Sequence, residues 1–120
     1  MTAKARLLLV EDTPSILRLY HEVLSKLDVE LHDADTGARA LAALGDIPPE
    51  VVLLDLELPD LNGVEILRAI RKRGLPSAVI VVTAHGSVKT AVEAMREGAY
   101  DFIVKTWPSA SGRKLIGRKI

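Results

Sequence analysis

The sequence predicts an α/β protein with one doubly wound, parallel sheet of five strands and an atypical or missing final helix. One observation predicts the sheet. Short apolar runs alternate with amphipathic helical segments along the chain, and this alternation favours parallel strands joined by right-handed crossovers. A second observation concerns the end of the chain, where the pattern stops after the fifth apolar run.

The five apolar runs differ in pattern, and the differences predict their order in the sheet. Three runs are fully apolar, as in central strands that are covered on both faces, whereas the second run alternates and the fifth is short, as at sheet edges. These features predict the flavodoxin-like order 2-1-3-4-5. The predicted strands are Arg6–Val10, Val29–His32, Val51–Leu54, Val79–Val82 and Asp101–Val104.

Each predicted helix has a recognisable start, and most have an end signal. The first is predicted from Pro14 to Leu27, with Thr13 as its cap and proline in its first turn. One apolar face of this helix would carry Leu17, Tyr20, Leu24 and Leu27. The following helices are predicted to be capped by Thr36, Asn62 and Ser87, and glycines near 45, 74 and 98 are predicted to end them.

The chain ends in an atypical basic tail, residues 106–120, which follows a domain predicted to span residues 1–105. Pro108, Gly112 and Gly117 oppose the amphipathic helix that should cover one face of the sheet. The apolar surface on this face of the sheet is therefore expected to be covered irregularly by the tail or by a second chain. A second copy of the chain, forming a homodimer, is thus one expected partner. The basic residues of the tail match no nucleic-acid-binding motif, so a solvated tail is expected.

Composition excludes several classes of protein. Sixteen acidic and sixteen basic residues cancel, so the domain has no bulk signature for direct nucleic-acid binding. The absence of cysteine excludes a disulfide framework. Only four consecutive apolar residues follow the amino-terminal segment, too few for a signal peptide or a membrane span, so a soluble cytoplasmic protein is expected.

Polar residues of complementary type follow four of the predicted strands. Glu11 and Asp12 follow the first, Asp55 the third, Thr83 the fourth and Lys105 the fifth. Parallel strands place these residues at one edge of the sheet. Crowded carboxylates repel one another unless a cation joins them, and oxygen ligands favour Mg²⁺. The set predicts metal-assisted phosphoryl transfer to Asp55, with Thr83 and Lys105 contacting the phosphate.

Four segments that contain these residues resemble the response-regulator receiver domains of bacterial two-component signalling. They are Leu8–Asp12, Leu53–Gly63, Val82–Gly86 and Gly98–Lys105. The resemblance implies that Asp55 is the phosphoacceptor and that a sensor histidine kinase is the donor. It implies a Mg²⁺ site formed by Glu11, Asp12, Asp55 and the Glu57 backbone carbonyl. It also implies that Thr83 and Phe102 are switch residues and that the chain is a switch rather than an enzyme with a separate substrate.

The segments around Thr83 and Gly98 resemble the receivers of enhancer-binding transcription activators, which implies an output domain or downstream regulator in transcription. Two features depart from the family. Thr106 stands where the family has a proline after a cis peptide bond, so a trans bond is expected here. The last helix of the family is also not recognisable.

Two alternative classes share part of this chemistry. A phosphatase of the haloacid-dehalogenase type also uses an aspartate nucleophile, Mg²⁺, a hydroxyl and a lysine. Its acidic motif lies on the first strand, however, whereas Asp55 follows the third. A flavodoxin-like cofactor binder would need a small polar loop after the first strand, where Glu11 and Asp12 would repel a phosphate.

Overall fold

The computed structural model describes residues 4–45, 48–84 and 88–105, in which five strands alternate with four helices. The strands pair in parallel in the order β2-β1-β3-β4-β5, which confirms the predicted fold. The elements are β1 (Ala5–Val10), α1 (Pro14–Leu24), β2 (Val29–Ala34), α2 (Gly37–Ala43), β3 (Val51–Leu54), α3 (Val64–Lys72), β4 (Ala78–Thr83), α4 (Val88–Arg96) and β5 (Asp101–Val104).

Two hydrophobic clusters cover the two faces of the sheet, because successive side chains of a strand point to opposite faces. On one face, Leu8 and Val10 of β1 belong to a cluster that includes residues of α2, α3 and α4. On the other face, Leu7 and Leu9 lie in a cluster with Tyr20 and Leu24 of α1. Burial on both faces explains why the central strands are apolar throughout.

The register of the sheet aligns the ends of its strands. Val10 of β1 is level with Leu54 of β3, and Leu54 is level with Val81 of β4. The ladder continues beyond β3, because the backbone amide of Asp55 donates to the carbonyl of Val10 at 3.0 Å. The residue after β3 is therefore held against the end of β1.

The first helix is shorter than predicted. It ends at Leu24, and Leu27, which the sequence predicts on the buried face, lies beyond the helix with 38% of its surface exposed. The Ser25 hydroxyl donates to the Glu22 carbonyl at 3.2 Å, and so gives a hydrogen-bond partner to a carbonyl in the last turn of the helix. At the other end, Thr13 makes no side-chain capping bond; its backbone carbonyl accepts from the amides of two helical residues instead.

The third and fifth strands have the predicted bounds, and the other strands differ from prediction by one or two residues at an end. The second strand extends to Ala34, because all six of its residues pair with β1. The predicted cap at Thr36 is confirmed, because its side chain accepts from the Arg39 amide at 3.1 Å. The predicted cap at Asn62 is wrong, because the N-cap of α3 is Gly63; the Asn62 side chain lies one residue earlier and accepts from the Val64 amide at 3.0 Å. Ser87, His85 and the predicted tail lie outside the described residues. Across the described ranges, the helices are too short or too polar to cross a membrane.

Truncation of Leu24 and Leu27 should have unequal effects on stability. Leu24, the last residue of α1, is fully buried against the sheet, so Leu24→Ala should lower the free energy of unfolding by about 2–5 kcal/mol. Leu27→Ala, the matched control, should cost less than about 1 kcal/mol because little apolar surface is lost. Urea unfolding of both variants measures the difference. Equal losses would show that Leu27 is packed in solution.

Candidate functional site

The carboxyl ends of β1, β3, β4 and β5 bring the predicted site residues together. Glu11 follows β1, Asp55 follows β3, Thr83 ends β4 and Lys105 follows β5. Two backbone hydrogen bonds hold these strand ends together. The Asp55 amide donates to the Val10 carbonyl at 3.0 Å, and the Lys105 amide donates to the Thr83 carbonyl at 2.8 Å. Main-chain pairing thus positions the four side chains.

Lys105 bridges the two buried carboxylates. Its Nζ lies 2.9 Å from Oε1 of Glu11 and 2.9 Å from Oδ2 of Asp55. All three side chains are shielded, with exposures of 12% for Lys105, 0% for Glu11 and 7% for Asp55. Removing one partner from such a cluster leaves an uncompensated buried charge, which costs about 3–5 kcal/mol.

The adjacent acids Glu11 and Asp12 have different environments. Glu11 is fully buried, whereas Asp12 is exposed. One carboxylate oxygen from each of Glu11, Asp12 and Asp55 lies within 4.8 Å of the others. The Oε2 atom of Glu11 is buried without a hydrogen-bond partner among the described residues. An unpaired buried oxygen beside two further carboxylates fits a hard divalent cation such as Mg²⁺.

The environment of the cluster shifts the pKa values of the two buried acids in opposite directions. Burial raises the pKa of Glu11 to about 8, and the nearby Asp55 carboxylate adds to the rise. Burial opposes ionisation of Asp55 too, but hydrogen bonds with Glu11 and Lys105 outweigh it and hold the pKa of Asp55 below its usual value. Burial likewise disfavours the Lys105 cation, but the two carboxylates outweigh it and raise the pKa of Lys105. Asp55 is therefore the more readily ionised acid of the pair.

The loop between β3 and α3 closes tightly around Asp55. Its Oδ1 atom accepts from the Glu57 amide at 3.0 Å, and Glu57 pairs with Asn62 in an antiparallel bridge. A side chain at Gly63 would place its Cβ 2.5 Å from the Asp55 carbonyl oxygen, so this close approach requires glycine. The backbone carbonyl of Glu57, a predicted metal ligand, belongs to this loop.

The two predicted switch residues lie on neighbouring strands. Thr83 is 1% exposed and borders a cavity of about 200 Å³ that extends to Thr90 and Glu93 of α4. Phe102 is half-buried against the cluster on the α4 face, level with Val81 of β4. Phe102 does not line the cavity.

One contributor to this region is missing from the sequence-based predictions. The carboxylate of Asp60, in the loop between β3 and α3, accepts from the backbone amides of Gly37 and Ala38 in α2 at 2.7 and 2.9 Å. The partners lie more than twenty residues apart, and no periodic pattern links them. The one available signal is the presence of an acid in a loop that already carries the central aspartate.

The order of the sheet and the acidic cluster at its carboxyl edge define an α/β protein with a lysine-bridged acidic site. The sequence matches the profile described as "Response regulator receiver domain" over residues 7–116. The chain belongs to this family, which confirms the resemblance recognised in the sequence and gives no support to the phosphatase alternative. It is thus a receiver domain of two-component signalling.

Individual proteins agree with the family match. The chain is 43% identical over 97 residues to the regulatory protein LuxO of Vibrio cholerae, covering 81% of this chain and 21% of LuxO. It resembles the crystal structure of the signal receiver domain of a LuxO repressor protein from Vibrio parahaemolyticus. That match has a TM-score of 0.87 and 34% identity, and covers 98% of this chain and 88% of the other.

A second similar solved structure is of a metal-bound protein. The Mn²⁺-bound form of the response regulator Rcp1 matches with a TM-score of 0.87 and 28% identity, covering 97% of this chain and 91% of Rcp1. The chain spans about a fifth of the length of its relative LuxO.

The raised pKa of Glu11 predicts that stability declines with rising pH in metal-free buffer. The folded pKa, about 8, exceeds the ordinary glutamate value of 4.5, so between these values the folded protein holds a proton that the unfolded chain releases. The free energy of unfolding should therefore fall across this window, by an amount on the order of a few kcal/mol. Glu11→Gln should remove this fall and be more stable than wild type near the upper end.

Urea unfolding at the two ends of the window, with EDTA present, measures this effect. The exposed Glu65, paired with Arg68 on α3, offers a control in Glu65→Gln. Mg²⁺ should restore wild-type stability at the upper pH, because it replaces the missing positive charge. Parallel pH profiles for wild type and Glu11→Gln would contradict the assignment.

Proposed function

We propose that this receiver domain accepts a phosphoryl group on Asp55 from a sensor histidine kinase. The observation that carries the proposal is the position of the Asp55 carboxylate, which is held between Lys105 and the Glu57 amide at the edge of the sheet. In the transfer, an Asp55 oxygen forms a bond to phosphorus while the phosphorus–nitrogen bond of phosphohistidine breaks, and its electron pair remains on the imidazole. Hydrolysis later returns the carboxylate and releases phosphate.

The same proposal assigns a divalent-ion site to Glu11, Asp12, Asp55 and the Glu57 backbone carbonyl. The unpaired buried oxygen of Glu11 and the spacing of the three carboxylates support it. The Mn²⁺-bound form of Rcp1 supports it as well. Mg²⁺ would neutralise charge on the phosphoryl oxygens during transfer. Lys105, already beside Asp55, would pair with those oxygens afterwards.

The consequence of phosphorylation is proposed to be a change of surface, passed to an output domain or downstream regulator in transcription. LuxO, named a regulatory protein, extends well beyond the part that this chain matches. Thr83 and Phe102 are the proposed switch residues. Thr83 is suited to this role because it lies at the end of β4 and borders the cavity between the β3–α3 loop and α4. The oxygens of a phosphoryl group on Asp55 would accept a hydrogen bond from the Thr83 hydroxyl and draw it towards the site.

The central prediction is that the chain acquires one phosphoryl group, on Asp55, and only with a divalent ion. Incubation with Mg²⁺ and acetyl phosphate, followed by intact mass measurement, should show one added group that base removes. Asp55→Asn should remain unlabelled, because an amide is not a nucleophile of this kind. The matched control is Asp28→Asn, at a side chain with 87% exposure. Equal labelling of Asp55→Asn and wild type would refute the proposed acceptor.

A further prediction concerns the switch. Thr83→Ala should still accept the phosphoryl group but should show smaller changes in α4 and β5 amide shifts on phosphorylation, because the phosphate loses a hydroxyl donor. Thr83→Ser retains that hydroxyl and should respond as wild type does. Two-dimensional NMR spectra before and after phosphorylation measure the response. Identical shift changes in Thr83→Ala and wild type would disprove the coupling.

A further inference from the structure

Asp60 connects the loop between β3 and α3 to the start of α2. Its Oδ1 atom accepts from the Gly37 amide at 2.7 Å, and its Oδ2 atom accepts from the Ala38 amide at 2.9 Å. The first amides of a helix have no partner within the helix. The third amide of the helix, that of Arg39, donates to the Thr36 hydroxyl oxygen at 3.1 Å. The helix thus has a local cap on Arg39 and a second cap supplied by a distant loop.

An apolar contact reinforces the two hydrogen bonds. Gly37 is buried, and a Cβ atom there would overlap the side chain of Leu61. Leu61 itself packs against the hydrophobic cluster that contains Ala40 of α2. The tip of the loop and the start of α2 therefore interlock through one charged and one apolar contact.

The other end of this loop forms part of the acidic site. Glu57 donates its amide to Asp55 at 3.0 Å and pairs with Asn62, while the Gly63 amide donates to the Leu56 carbonyl at 2.8 Å. These bonds join the two ends of the loop to each other and to Asp55. We therefore expect a displacement of the tip at Asp60 to disturb the position of Glu57 relative to Asp55.

We infer that Asp60 is a positioning residue for the divalent-ion site: by holding the loop against α2, it fixes the Glu57 backbone where it faces Asp55. This inference rests on the proposed function, which assigns the Glu57 carbonyl to the ion. Asp60 is exposed and acts through the loop, and its two oxygens are occupied by the amides of Gly37 and Ala38.

The charge of Asp60 is well suited to this role. The hydrogen bonds from Gly37 and Ala38 hold the pKa of Asp60 below its usual value, so it is anionic at neutral pH. Hydrogen bonds to a charged acceptor are stronger than neutral ones. Asparagine at this position would present an NH₂ group to one of the two amides, and would lose both the charge and one hydrogen bond.

The test compares Mg²⁺ affinity in four full-length proteins: wild type, Asp60→Asn, Gly37→Ala and Thr36→Val. Titration with Mg²⁺ alone, followed by NMR amide shifts, measures the affinity. A time course of intact mass measures the rate of labelling by acetyl phosphate. Asp60→Asn should bind Mg²⁺ about 10-fold more weakly, at the lower end of the range seen when groups that orient metal ligands are removed. Saturating Mg²⁺ should restore its labelling rate, because Asp55 and Lys105 are unchanged.

The other two variants separate positioning from simple loss of stability. Gly37→Ala displaces Leu61 from the α2 side and should also weaken Mg²⁺ binding while leaving Asp60 intact; it serves as the second variant if Asp60→Asn does not fold. Thr36→Val removes the local cap of α2 without touching the loop, so it should lower the melting temperature but leave Mg²⁺ affinity unchanged.

Two outcomes would overturn the inference. The first is wild-type Mg²⁺ affinity in Asp60→Asn and in Gly37→Ala. The second is an equal loss in Thr36→Val, which would mean that the stability of α2 alone is being measured. Failure of the proposed function has a different appearance, because the wild type itself would then neither bind Mg²⁺ nor label on Asp55.

Discussion

The bridge from Lys105 to Glu11 and Asp55 is the interaction on which the site depends. Two carboxylates buried side by side repel each other and lose their hydration, a cost of several kcal/mol for each ion before compensation. The ammonium group of Lys105 offsets much of that cost at 2.9 Å from both acids. Its three members follow β1, β3 and β5, so the bridge is possible only because the sheet aligns the carboxyl ends of these strands. The register of an apolar sheet thus sets the geometry of a charged site.

The single positive charge of Lys105 does not balance the negative charge of the three carboxylates, and this shortage of positive charge determines how the site ionises. One cation faces two buried carboxylates and an exposed third, and the Oε2 atom of Glu11 has no hydrogen-bond partner among residues 4–45, 48–84 and 88–105. The protein meets the deficit by protonating Glu11, whose pKa is raised by burial to about 8. A divalent ion would meet it instead by replacing that proton. The lowered pKa of Asp55 keeps it anionic when Glu11 is protonated, which is the state that the proposed phosphoryl transfer requires.

Much of the fold and of the site could be predicted from the sequence, because both follow from simple periodicity. The three fully apolar runs fix the central strands, and the polar residues that follow them fix the carboxyl edge. Prediction failed where structure depends on contacts between distant parts of the chain. Leu27 continues the apolar spacing of α1, but the helix ends earlier at Leu24. Glu11 and Asp12 are equivalent in sequence, yet one is buried and the other exposed. Asp60 and Gly37 are 23 residues apart in sequence, and the tertiary fold brings them together.

The contact between Asp60 and α2 suggests why the loop can be precise without regular secondary structure. Loops that carry functional groups usually move more than the elements that they join. This one is restrained at three places: Gly63 lies against the Asp55 backbone, Glu57 pairs with Asn62, and Asp60 holds the start of α2. Each restraint uses the backbone on at least one side, so it limits where the main chain can lie rather than only where a side chain points. A backbone carbonyl can serve as a metal ligand only if the main chain that carries it is fixed. The restraints on this loop meet that requirement for Glu57.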